Sequence, residues 1–241
     1  MAGEVDRVFS GFDRTKTTSR ARNIVQVTGL DDTFTAYRDC GVIAQNADLA
    51  TLMSAIVANL NFAAVEQCER FAVHAGVAGW SGGIVAIPAE SGDGKTTLTA
   101  ALLRHGFTFL SDEALVFDND ASVVPYPKPL ALSEWSADKL GLFRSSGAEI
   151  LALPADMGSS FGRGGPLTDL VLSAYGHRQY RLQPLPRSQA LAALIQYSFN
   201  HYKNPERAFR LATEVARYLR VWSLEYDDPL EAARLVSETL R

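Results

Sequence analysis

One stretch constrains this chain more than any other. At residues 84–113 an apolar run, IVAIP, passes into Ala89-Glu90-Ser91-Gly92-Asp93-Gly94-Lys95-Thr96, then into a helix-forming segment that stops at Gly106, and leaves through a second apolar run at 107–110. A short apolar run bounded by turn residues suits a buried strand, and a glycine after the last helical residue suits a left-handed terminator. The order is therefore strand, loop, helix, strand. A right-handed crossover makes the two strands parallel and brings their C-terminal ends to one sheet edge. That excludes all-α and all-β folds and predicts an α/β protein.

The loop fits the pattern G-x-x-x-x-G-K-[ST], known as Walker A, with Ala89 in the first glycine position. Backbone amides that converge on an anion need residues free to take positive φ or to approach closely, which Gly92 and Gly94 supply. Lys95 offers a positive charge to the β and γ phosphates, Thr96 offers a hydroxyl to Mg²⁺, and the helix that opens here turns its positive end toward the anion. The same residues also suit a plain glycine-rich turn before a helix, but the strand before the loop and the helix after it are the context a phosphate loop requires. The expected ATP-binding residues are Glu90, Ser91, Gly92, Asp93, Gly94, Lys95, Thr96 and Thr97. Asp112 and Glu113 follow the second strand and are expected beside the phosphates, where one carboxylate holds the metal and another takes a proton from an attacking hydroxyl.

Elsewhere the pattern is less specific. Residues 23–29 and 33–39 read as a hairpin, and a long helix is expected from an N-cap at Asp48 to about Ala75. The remainder alternates strand-like and helical runs, apart from a Gly- and Ser-rich segment at 145–166 that reads as a mobile loop over a site. The expected organisation is an N-terminal hairpin-and-helix portion at 1–67 packed on a core at 68–241.

Composition narrows the partners. A net charge of −4, with 47% hydrophobic and 21% charged residues, is that of an ordinary globular chain and gives no reason to expect nucleic acid or an anionic membrane as partner. Cys40 and Cys68 lie outside any metal-ligand spacing and read as reduced thiols. The N-terminus lacks the apolar stretch of a secretory signal, and Asn59, Asn61 and Glu66 are expected to break the best membrane-span candidate, at 49–73. A cytoplasmic location is the expectation; the sequence leaves a homo-oligomer open.

In order and spacing the chain resembles the HPr kinase/phosphorylase family of P-loop phosphotransferases, related in fold to phosphoenolpyruvate carboxykinase. The resemblance rests on His74-Ala75-Gly76, the strand IVAIP, the loop Glu90 to Thr96, Arg104-His105-Gly106, and Ser111-Asp112-Glu113. It covers about residues 70–130, and its specific part is the short spacing from Lys95 to the acidic pair. This chain departs from the family pattern in having Ala89 for the first loop glycine, Thr96 for serine, Glu113 for the second aspartate, and Ala75 between His74 and Gly76.

The resemblance implies a P-loop phosphotransferase core on a mixed sheet, with a small N-terminal α+β portion, ATP and Mg²⁺ as cofactors, and γ-phosphate transfer to a hydroxyl, as in the small stand-alone members that phosphorylate a peptide serine. The acceptor expected is thus a protein or peptide. Lys95 and Thr96 carry over as phosphate and metal ligands, Asp112 as the general base, Glu113 as the metal-side carboxylate, and His74 as the site histidine. Lys128 and Arg163 are candidates for a second cation meeting transition-state charge. Two rivals to a kinase remain: a nucleotide-binding accessory protein without transfer activity, and an ATP hydrolase.

Overall fold

A computed structural model of the chain describes residues 1–12, 24–90, 92–142 and 149–241. In chain order its elements are α1 (Ala2–Val8), β1 (Val25–Leu30), β2 (Thr33–Arg38), β3 (Gly41–Ala47), α2 (Leu49–Gln67), β4 (Ala72–Trp80), β5 (Gly83–Pro88), α3 (Lys95–Arg104), β6 (Thr108–Ser111), β7 (Ala114–Phe117), β8 (Val123–Val124), β9 (Leu130–Leu132), α4 (Glu134–Lys139), β10 (Ile150–Ala152), β11 (Leu167–Tyr175), β12 (Arg181–Leu185), α5 (Ser188–Gln196), α6 (Pro205–Ala216), β13 (Arg220–Tyr226) and α7 (Pro229–Leu240). The protein is mixed α/β, as expected. It divides into two compact units, Met1–Gln67 with Lys128–Leu153, and Cys68–Pro127 with Pro154–Arg241. The segment at 128–153, assigned from sequence to the core, thus groups with the N-terminal residues.

In the first unit β1, β2 and β3 form an antiparallel sheet. Asp31 and Asp32 have φ of 49° and 62°, and Asp39 and Cys40 have 49° and 69°, so both connections are two-residue turns with left-handed residues, the form whose twist matches paired strands. The predicted hairpin is the first of these. The third strand goes unread in the sequence because Asp-Cys carries a weaker turn signal than Asn-Gly. The Asp48 cap is present: the Thr51 amide donates to its Oδ1 at 2.8 Å, and this contact holds the carboxyl below its ordinary range. Below it α2 turns Leu52, Met53, Ile56 and Val57 into a core shared with Val8, Ala36 and Leu151. With 19 residues and a mean hydropathy of 1.4, α2 is the one helix among the described residues long and apolar enough to cross a membrane by length and composition. This corrects the expectation from Asn59, Asn61 and Glu66, whose polarity the surrounding Leu, Ile, Val, Phe and Ala outweigh.

In the second unit one mixed sheet runs in the order β12-β13-β11-β5-β4-β7-β8, with β6 also paired to β4. The parallel pairs are β5 with β11 and β11 with β13, whereas β4 is antiparallel to β5, β6 and β7. β6 is therefore parallel to β5, as the crossover predicts, but β4 stands between them. The helix expected to about Ala75 instead ends at Gln67, and β4 follows it. Its residues are small, AVHAGVAGW, and nearly all buried, so no polar alternation marks it as a strand.

Nor does the Gly-rich segment form a lid throughout. Residues 143–148 lie outside the described residues, but the Phe109 amide donates to the Ser160 carbonyl at 2.9 Å, the Gly162 amide donates to the Phe109 carbonyl at 2.7 Å, and Gly165 exchanges both backbone bonds with Val123. Its C-terminal half is thus pinned along β6 and β8, because glycines there let the backbone approach: a Cβ on Gly164 would overlap the Val123 carbonyl.

Candidate functional site

β5 ends at Pro88, level with Ala75 of β4, and the glycine-rich loop follows. Gly92 and Gly94 take φ of 97° and 77°, left-handed values that explain glycine at both places. Asp93 ties the loop to its start: its amide donates to the Glu90 carbonyl at 3.4 Å, and its Oδ2 accepts from the Glu90 amide at 3.2 Å. Gly94 opens α3 with no side-chain cap, whereas Asn204 and Asp228 cap α6 and α7 with their side chains. Gly94, having no side chain, supplies no such bond to the first turn of α3. Lys95 and Thr97 are buried and Thr96 is half-buried, while Glu90, Gly92 and Asp93 are exposed. Ser91 lies outside the described residues.

α3 lies directly on β4. A Cβ on Gly76 would overlap the hydroxyl of Thr99 and stand 3.3 Å from Cγ of Lys95, so only glycine admits the helix this close. Thr99 cannot swing away, being fully buried and donating to the Lys95 carbonyl at 2.9 Å. Gly76→Ala is expected to lose about 1–3 kcal/mol to overpacking, more than the few tenths to 1 kcal/mol that alanine gains over glycine in a strand. Chemical denaturation should record that loss, together with weaker binding at the loop. An unchanged midpoint would mean that α3 does not sit on Gly76 as described.

On the other flank of β4, β6 and β7 form two halves of one antiparallel line, Val77 opposite Ser111 and His74 opposite Ala114. Asp112 and Glu113 interrupt this line. Ser111 makes the break, its hydroxyl accepting from the amides of Glu113 at 3.1 Å and Ala114 at 2.9 Å. The Ala75 amide donates to the Glu113 carbonyl at 3.2 Å. The acidic pair is therefore level with the end of β5, two strand spacings or about 10 Å away. Asp112 is 2% exposed. Glu113 is half-buried, with Oε1 3.5 Å from His74 Nδ1.

The structure thus brings the loop, Lys95, His74, Asp112 and Glu113 around the Ala75–Gly76 section of β4. Lys128 belongs to the first unit, where its Nζ donates to the Pro129 carbonyl at 3.1 Å. Arg163 is exposed in the pinned strand-like segment beside β6. Among the described residues no cluster of three or more His, Cys, Asp or Glu is arranged to hold a metal; a Mg²⁺ ion that keeps most of its waters needs fewer protein ligands.

Four aromatic residues near the loop and β4 are not legible in the sequence. Residues 197–199 take the place beside β4 where β5 has ended: the His74 amide donates to the Tyr197 carbonyl at 2.8 Å, and the Phe199 ring stands edge-on to His74 with centroids 5.1 Å apart. Burial, with the charges of Glu90 and Asp93, raises the Tyr197 phenol above its ordinary pKa. Burial, then the charges of Glu113 and Asp112, raises that of Tyr126 on the acidic side. Tyr226 ends β13 with its hydroxyl against Gly94. No local pattern signals any of them, because each reaches the site through sheet order.

Compared with known proteins, the chain matches no family model and no curated sequence.

Proposed function

We propose that the chain binds Mg-ATP at the loop from Glu90 to Thr97 and transfers the γ-phosphate to a hydroxyl, a serine of a protein or peptide, in the manner of the P-loop kinases it resembles. One observation supports this most. A loop with two left-handed glycines that opens a helix at Gly94, carrying a buried lysine, lies a single strand away from a carboxylate pair.

Each residue has a definite task in this reading. Loop amides and Lys95 hold the β and γ phosphates. Thr96 and Glu113 would hold the Mg²⁺, whose charge offsets that of the phosphate oxygens as the bond to the leaving group lengthens. Asp112 accepts the acceptor's proton, and its burial keeps water from competing. His74 orients Glu113 through its Nδ1 contact. Asp93 adds negative charge near the phosphates, which makes Lys95 and the metal the more necessary.

The fate of labelled γ-phosphate tests the proposal. Incubated with labelled ATP, Mg²⁺ and fractionated lysate, the protein should move label to serine on a protein or peptide. Label released only as inorganic phosphate would make it a hydrolase, and ATP bound without any turnover would make it a nucleotide-binding accessory protein.

A further inference from the structure

Tyr226 is 1% exposed, yet its hydroxyl has no hydrogen-bond partner among the described residues. An ideal Cβ on Gly94 would stand only 3.0 Å from that oxygen, so the hydroxyl abuts the loop just where the backbone turns left-handed into α3. The ring is fixed there. It closes β13 in register with Tyr175 of β11 and meets the Tyr175 ring edge-on, with centroids 5.5 Å apart. A buried hydroxyl without a partner costs stability, so one placed against a glycine-rich loop calls for an explanation.

We infer that Tyr226 is a positioning residue for the anion-bound loop, its O–H donating to a backbone carbonyl at Gly92–Gly94 when phosphate is held there. This rests on the anion-binding reading above. When successive peptide N–H groups turn toward a bound anion, the carbonyls of the same peptides turn away from it and toward the residue behind the loop. The Tyr226 hydroxyl abuts the loop at Gly94. Burial, with Tyr175 and the Asp93 charge adding to it, raises the phenol above its ordinary pKa, so it remains protonated and able to donate. The bond is made only in the bound state, and so it favours the loop conformation that grips phosphate. A structural hydrogen bond would stabilise the free protein as well.

Tyr226→Phe in the full chain separates these roles. The free variant should melt at the same temperature as wild type or slightly higher, because it loses an unpaired buried hydroxyl. Its affinities for Mg-ATP and for inorganic pyrophosphate, measured by calorimetry, should both fall about 5-fold, the worth of one neutral hydrogen bond. Equal effects on both ligands are expected because the bond is to the loop and not to the base. The inference is overturned if wild type binds both ligands, Lys95→Ala weakens them, and Tyr226→Phe leaves them unchanged. It is also overturned if the free variant melts lower while its affinities hold. If wild type binds neither ATP nor pyrophosphate, the anion-binding reading falls and this inference with it.

Discussion

Lys95→Ala is expected to weaken ATP binding by about 10- to 100-fold, the range for losing hydrogen bonds between a charged donor and an anion, and to reduce transfer further. Two observations set the size. Lys95 is 7% exposed, so its charge acts on a bound phosphate with little screening by water, and its stem packs on Gly76, so the ammonium is aimed by the strand beneath it. Alanine removes the charge and keeps the helix, whose first turn tolerates it well. Titration of ATP into both proteins, with circular dichroism to confirm folding, gives the answer. A folded variant with unchanged affinity would remove the loop from the mechanism.

The second large effect falls on the acidic pair. Asp112→Asn conserves shape in a fully enclosed position and removes the proposed proton acceptor; the transfer rate should drop by about 10²- to 10⁴-fold with little change in ATP affinity. Glu113→Gln should act differently, raising the Mg²⁺ concentration needed for half-maximal rate, since Glu113 is the more exposed carboxylate. Rates measured against metal concentration distinguish the two. If both variants transferred phosphate normally, neither carboxylate would have a part in the chemistry.

The site was more legible in the sequence than the sheet that carries it. Gly92, Gly94 and Lys95 are a local requirement of one loop, and Asp112 and Glu113 follow at a short fixed spacing, so both ends of the site stand in the chain order itself. Their separation does not. β4 lies between β5 and β6, and its small residues, buried on both faces, carry no alternation to announce a strand. Missing β4 also hid why Gly76 is glycine, which depends on Thr99 lying across from it. The C-terminal part of the Gly-rich segment departs from a mobile loop for a related reason: Gly and Ser at 158–165 serve close backbone pairing with Phe109 and Val123, and composition does not distinguish that from mobility. Tyr197 and Tyr226 reach the loop from far along the chain, through an α5 extension and the order of three parallel strands, and long-range pairings of that kind leave no local trace.

A crystal structure of the protein with Mg-ADP tests the central claim most directly. The account predicts the β-phosphate at the N-terminus of α3, held by amides between Gly92 and Thr96 and by Lys95 Nζ, with Mg²⁺ on the Thr96 hydroxyl and on the side of Asp112 and Glu113. A nucleotide bound elsewhere, or a phosphate-free loop at saturating Mg-ADP with Asp93 still holding the Glu90 amide, would contradict it.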